Sequence, residues 1–499
     1  MPVSLHTHSW YSLLEGVSSP EALVARAVEG GHTSLALTDT NNLYGVVPFV
    51  ELAKQARLRP IVGACLRHGG RQAVALVAER EGYHNLCQVI SGVQLSGVER
   101  FCEASLTDLL GAYHGGLHVL TADPELAEQL HGAFRDRLWL EVIRPGCPPK
   151  ERKLLDCAKR LGVRLVASTA AHLTHADEYP TLRLAAAVRE NTLLDRLPPT
   201  GPVTPEHRLL SVTEMRRRFR DLPEALAAGD DLAGLLRADV LPRELILPGP
   251  KLTRPLDLVA YFKAHCEPRL RRRGLEGDPT ARQRLREEQA VIGAKGLAGY
   301  FLTVHDIARQ RGTAATRWAR RQPPATRWCA TCSASPRADP PRFGLEMERF
   351  LHMERIDLPD IDLDFDWKVR DEIIDYVIRK HGGEHVARIS AHLSLQPRSA
   401  FRESAKVHGL SDGQVSELLT HLDERVEETL LPDPARPAPR VPASPRSPGA
   451  CAAGRASSPT PAGCWAGPRT CRCTPAASSS RRARCAPMPR CSGPPRASS

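Results

Sequence analysis

SLALTD (34–39) is an apolar run of strand length that ends on a carboxylate, and it lies between two amphipathic stretches, Pro20 to Glu29 and Pro48 to Ala56. Five more β-like runs follow it: RPIVGAC (59–65), QAVALVA (72–78), HVLTA (118–122), LWLEVI (138–143) and VRLVAS (163–168). Short apolar strands alternating with helical patterns predict an α/β domain of mostly parallel strands over residues 1–190, with any site carried at the strand ends. Farther on, EMRRRFRDL, PEALAAGDDLAGLL and ARQRLREEQAVIGAKG repeat their apolar positions at helical spacing. Residues 200–300 therefore read as a helical connection into a second domain.

A chain of 499 residues has room for several domains. Its opening stretch carries His6, His8 and Glu15 where an export signal needs an apolar run, and no segment offers about 18 unbroken apolar residues. The expectation is a cytoplasmic protein without a membrane segment, whose cysteines are reduced thiols. The net charge of +11 belongs to the tail: residues 434–499 hold 11 Arg and no Lys, Asp or Glu, and the first 433 residues balance to zero. Basicity thus gives the folded part no nucleic-acid footprint.

Two segments, 313–338 and 434–499, break the pattern. Both are rich in Arg, Ala, Pro, Ser, Cys and Trp and contain no acidic residue, and the longer one holds 14 Pro and only Val441 from the Leu, Ile, Val and Phe set. Neither can bury a core. They read as disordered basic segments or as out-of-frame translation of GC-rich DNA. Cys329 and Cys332 resemble half of a zinc site, with no second half at fitting spacing.

LPDIDLDF (358–365) places Asp360, Asp362 and Asp364 at alternating positions, so on a strand all three carboxylates leave one face. Such crowding calls for a hard divalent cation, and Mg²⁺ bridging carboxylates and phosphates is a common solution. From spacing alone, two-metal phosphoryl transfer stands beside a Ca²⁺ loop or a solvated acidic edge. Arg398 and Arg402, four apart on one helical face, suit a triphosphate or a primer phosphate, or a plain solvated surface.

With DPPRFGLEMERFLHMER (339–355) before it and DWKVRDEIIDYVIRKHGGEHVARISAHLSLQPRSAFRESAKVHGL (366–410) after it, this stretch resembles the palm of bacterial C-family DNA polymerases, the family of the polymerase III alpha subunit. LHTHSWYSLLEG (5–16) and ALTDTNNLYG (36–45) resemble the PHP (polymerase and histidinol phosphatase) domain that opens those enzymes, in a form similar to the error-prone branch. The resemblance implies a PHP (β/α)-barrel-like domain over 1–190, a helical connection over 191–254, a partial α+β palm over 255–433 and a disordered tail over 434–499.

It further implies a DNA-directed, error-prone, lesion-bypass polymerase that uses Mg²⁺ and takes primed template and dNTPs, in a family that works with a sliding clamp. Asp362 and Asp364 would be catalytic, Asp360 a third acidic neighbour, and Arg398 and Arg402 the phosphate contacts. A degenerate PHP site for Zn²⁺ or Mn²⁺ would draw on His6, His8, Glu15, Asp39, His172 and Cys65. Four positions depart from the family: Thr40 stands in place of a His, Cys65 of a Glu, Pro145 of a His and Ala170 of an Asp. The family's G-R-G-S-A-A-N loop is missing between Ile307 and Asp339, and its third catalytic Asp, fingers and clamp-binding segment would fall where the tail stands, so the chain is expected to be an inactive fragment. The alternatives are a free-standing PHP phosphoesterase and a non-catalytic protein whose Arg-rich tail binds nucleic acid.

Overall fold

In the computed structural model the described residues are 2–96, 104–198, 201, 203–242, 247–249, 257–272, 274, 276–309, 352–354, 363, 365, 367–382, 385–387, 392–420 and 468–470. The chain divides into two compact units, Met1–Leu241 with Ser390–Ser499, and Pro242–Ile389. Among the described residues no helix is long and apolar enough to cross a membrane.

The first unit is built on a curled six-stranded sheet in sequence order: β1 (Ser34–Leu37), β2 (Arg59–His68), β3 (Arg71–Val77), β4 (Leu117–Thr121), β5 (Leu138–Ile143) and β6 (Arg164–Ser168). β1–β2, β4–β5 and β5–β6 are parallel, and β3 runs antiparallel to both of its neighbours. The exception to the expected parallel order has a local cause. Gly69 and Gly70, both at positive φ (56° and 76°), form the two-residue link between β2 and β3, and consecutive left-handed residues are what a tight hairpin requires.

Residues 4–8 close the sheet. Ser4 bridges Leu35 and Thr7 bridges Ala171, both in parallel, and the His8 amide donates to the Ala171 carbonyl (2.7 Å). Helices α1 (Pro20–Glu29), α2 (Val46–Gln55), α3 (Arg80–Leu95), α4 (Leu106–Ala112), α5 (Pro124–Phe134) and α6 (Pro148–Leu161) fill the crossovers. Their starts are encoded locally: the Ser19 side chain accepts from the Ala22 amide before Pro20, and Asp123 does the same for Glu125 and Leu126 before Pro124.

Alternation along the strands sorts the apolar residues into two cores. Leu35, Val62, Ala64, Ala75, Val119 and Leu140 face the helices, whereas Ala36, Ile61, Cys65, Leu76, Trp139 and Val166 face inward. α7 (Tyr179–Glu190), α8 (Val212–Arg218) and α9 (Pro223–Leu235) come next. Ala228, Leu232 and Ala233 of α9 join the inner core. Small residues permit the close approach: a Cβ on Gly229 would lie 3.6 Å from Val166 Cγ1.

α9 plugs the amino ends of the parallel strands. Arg59 at the start of β2 donates to the Leu236 carbonyl, Arg164 at the start of β6 pairs with Asp231, and the Arg237 amide donates to the Ala78 carbonyl just past β3 (3.1 Å). The expected boundary at residue 190 therefore falls inside this unit, since Leu209, Leu210, Met215, Phe219 and Val240 are also buried in its core. An amphipathic pattern announces a helix without naming the surface that covers it.

In the second unit α10 (Leu258–Arg272), α11 (Pro279–Ala294) and α12 (Ala298–Arg309) pack through Phe262, Leu270, Leu285, Ile292 and Phe301. α13 (Trp367–His381) follows, and its Lys380 and Tyr376 both bond the Asp306 carboxylate (2.5 and 2.7 Å). Back in the first unit, β7 (His392–Ser394) pairs with β8 (Pro468–Thr470), and α14 (Pro397–Val407) and α15 (Asp412–Thr420) complete the described chain. Val407 of α14 packs on Leu184 and Ala187 of α7.

If α9 plugs the barrel, Leu232→Ala should cost about 2–4 kcal/mol in urea unfolding of the barrel, and Leu235→Ala, at a position 57% exposed, less than about 0.5 kcal/mol. Equal effects would contradict the assignment.

Candidate metal centre

The carboxyl ends of the parallel strands, opposite α9, carry the titratable cluster. Closure by residues 4–8 buries His6 and His8 there. Cys65 follows Ile61 on the inward face of β2, and Glu141 follows Trp139 on that of β5. Ligand atoms of His6, His8 and Cys65 all lie within 4.8 Å of one another, the one such group among the described residues.

The hydrogen bonds fix the tautomers. His6 Nδ1 meets Glu141 Oε1 at 2.7 Å, and a carboxylate there makes Nδ1 the protonated nitrogen. The Ser12 hydroxyl donates to Asp39 Oδ1 (2.6 Å), so its oxygen can only accept at His8 Nδ1 (2.9 Å), and His8 too carries its proton on Nδ1. The two Nε2 atoms, each left with a lone pair, face one another at 3.0 Å. Two lone pairs repel at that distance unless a cation lies between them. A proton can serve: burial lowers the His6 pKa, but the Glu141 carboxylate and Cys65 outweigh it and push it up to about 10. A metal ion serves equally, since two nitrogens on one tetrahedral Zn²⁺ stand about 3.3 Å apart.

His172 stacks on His8 (centroids 4.1 Å apart, 13° between planes), and its Nδ1 donates to the Glu15 carbonyl (2.9 Å). Burial holds His172 uncharged, with its pKa near 3, and burial first, then the neighbouring His172 and His6 imidazoles and the Arg67 charge, takes His8 well below the ordinary imidazole value.

Two of the expected ligands are occupied elsewhere. Asp39 accepts from the Ser9 amide (2.7 Å), the Ser9 hydroxyl (2.8 Å) and Ser12, which leaves it to orient His8 through Ser12; burial raises its pKa against those bonds. Glu15 is drawn off by Arg67 (2.7 Å), Arg189 of α7 (3.1 Å) and the Thr40 hydroxyl (3.0 Å). Thr40, standing where the family carries a His, is thus part of what removes Glu15 from the group. The tight turn that arranges these side chains requires Gly16, where a Cβ would meet the Ser9 carbonyl oxygen at 2.1 Å.

Sequence reasoning missed Glu141, although a lone carboxylate inside LWLEVI, two residues from an inward Trp, must find a buried partner. Arg67, Arg189 and Ser12 carried no sequence signal of this kind. Asp360, Asp362 and Asp364 lie outside the described residues. Arg398 and Arg402, on α14, line a surface depression with Ser416 and Thr420 of α15.

Comparison with known proteins gives two family matches: a PHP domain over residues 4–143 and a bacterial DNA polymerase III alpha NTPase domain over residues 260–438. Error-prone DNA polymerase of Cutibacterium acnes is 32% identical over 480 residues, covering 87% of this chain and 41% of the relative. Error-prone DNA polymerase of Symbiobacterium thermophilum is 32% identical over 458 residues (83% and 42%), and DNA polymerase III subunit alpha of Escherichia coli 28% over 474 residues (87% and 40%). The chain thus spans about two fifths of the length of these relatives. With a PHP barrel ahead of an alpha-subunit polymerase segment, it belongs to the bacterial C-family of DNA polymerases, that of the polymerase III alpha subunit.

Proposed function

We propose that the chain supplies the PHP barrel and the first part of the palm of a cytoplasmic, error-prone DNA-directed DNA polymerase that works on primed template with dNTPs. The observation that carries this reading is LPDIDLDF, set inside the segment matched to the alpha-subunit domain. Asp362 and Asp364 would hold Mg²⁺ with Asp360 beside them. A divalent cation held there would supply the positive charge that primer-hydroxyl activation and triphosphate binding require. Arg398 and Arg402 sit one helical turn apart on α14, where both guanidinium groups can reach one phosphate chain.

As written, the chain lacks the Gly- and Ser-containing nucleotide loop, and residues 434–499 offer no Asp or Glu for a third metal ligand. Primer extension by the chain itself should be absent. It should appear once codons 313–338 and those from 434 onward are returned to frame, and vanish again with Asp362→Ala. A frame-restored protein that fails to extend a primer would sink the reading.

For the barrel, we propose one ion of the Zn²⁺ class held by His6, His8 and Cys65, with a structural role. Two imidazoles and a thiolate suit Zn²⁺, Glu141 and Ser12 hold both rings in the ligating tautomer, and the carboxylates that a hydrolytic cluster would need are tied to Ser9, Ser12 and arginines. Glu141→Gln should weaken Zn²⁺ binding by about 10–100-fold in chelator competition, and Cys65→Ser by more, whereas Glu15→Gln should leave it within about twofold. Strong loss with Glu15→Gln would instead favour a multinuclear phosphoesterase centre.

A further inference from the structure

A second cavity, of ≈ 510 Å³, opens at the other end of the barrel, at the amino ends of β4 and β5; its lining includes Glu79, His114, His118, Arg137, Leu235 and Arg237. That volume falls within the range of roughly 300–1,000 Å³ typical of small-molecule sites. Its chemistry is lopsided. The Arg137 guanidinium bonds only neutral partners among the described residues: the His114 carbonyl, the Leu117 carbonyl (3.2 Å), the Ala133 carbonyl (3.5 Å) and His114 Nδ1 (3.0 Å). Arg237 is anchored by its backbone, and its exposed side chain has no ion pair among the described residues. By contrast Arg71, Arg144 and Arg164 of the same barrel all meet carboxylates.

His118 adds a directed donor. The Trp139 indole N–H can only donate, and it donates to His118 Nδ1 (3.1 Å), so the ring carries its own proton on Nε2. Burial, and then the Arg137 charge, hold the pKa of this imidazole near 4, and it remains a neutral N–H donor at working pH. Glu79 is the single carboxylate of the lining, and it precedes α3 without capping it. Leu235, 57% exposed, gives one apolar wall.

Two uncompensated guanidinium groups and an N–H donor suit an anion with several acceptor oxygens. An apolar wall and one acceptor carboxylate suit a flat, partly apolar body that bears amino or hydroxyl donors. We propose that this cavity is a nucleoside 5′-monophosphate site, with the phosphate bonded by Arg237 and His118 Nε2 beside the uncompensated Arg137 charge, and the nucleoside against Leu235 and Glu79. It is independent of the metal centre and of Arg398 and Arg402.

The test is equilibrium dialysis of the full chain against radiolabelled deoxyadenosine 5′-monophosphate. Saturable binding should weaken at least about tenfold in Arg237→Ala, an exposed position where folding is not at stake, and in His118→Phe, and remain unchanged in Arg217→Ala, an exposed position on α8 outside the lining. Deoxyadenosine without its phosphate should fail to compete, and inorganic phosphate should compete only at about tenfold higher concentration or more. Absence of saturable binding, indifference to Arg237→Ala, or an equal loss through Arg217→Ala would overturn the site. Inorganic phosphate competing as well as the nucleotide would overturn the assignment of a nucleoside.

Discussion

Closure of the curled sheet by residues 4–8 is the constraint on which the rest of the barrel depends. The same few residues that bridge β1 on one side and Ala171 on the other deliver His6 and His8 to the interior. Backbone ladder and histidine cluster are therefore one construction: whatever displaces residues 4–8 opens the sheet and disperses the cluster together. It also explains why so many polar groups tolerate burial here. Ser4, Thr7, His8, Ser9, Ser12, Thr38 and Asp39 are all buried, and they satisfy one another through hydrogen bonds.

The α/β character was fully legible in the sequence, because each of the six apolar runs is both long enough for a strand and buried on both faces. The antiparallel turn at β3 was legible in principle from Gly69-Gly70 and went unread, since the period of a strand says nothing about its direction. That α9 belongs to the barrel was hidden for a different reason: PEALAAGDDLAGLL is amphipathic with respect to any neighbour, and its small residues fit a close surface that only the closed sheet creates.

The metal centre was half legible. His6, His8 and His172 are polar residues at short spacing near strand ends, which sequence can show. Which carboxylates ligate and which are diverted depends on where the arginines lie: Arg67 and Arg189 are 52 and 174 positions from Glu15 along the chain, and no local pattern links them. Family resemblance points to Glu15 and Asp39 as ligands, yet both carboxylates are engaged by serines, Thr40 and arginines, while the ligand atoms that cluster belong to His6, His8 and Cys65, with Glu141 bonded to His6. Descent and local chemistry have separated within a single domain.

Closure has one more consequence, for the order in which the protein can be made. Thr7 bridges Ala171, made more than 160 residues later, and the interior that Val3 and Leu5 face is sealed by Ala228, Leu232 and Ala233, later still. At about 5–20 residues per second, Val3 and Leu5 must wait roughly 10–50 s for those partners to be synthesised. Through that interval this apolar, histidine-bearing segment is without its partners, open to a chaperone or a passing metal ion before the barrel exists.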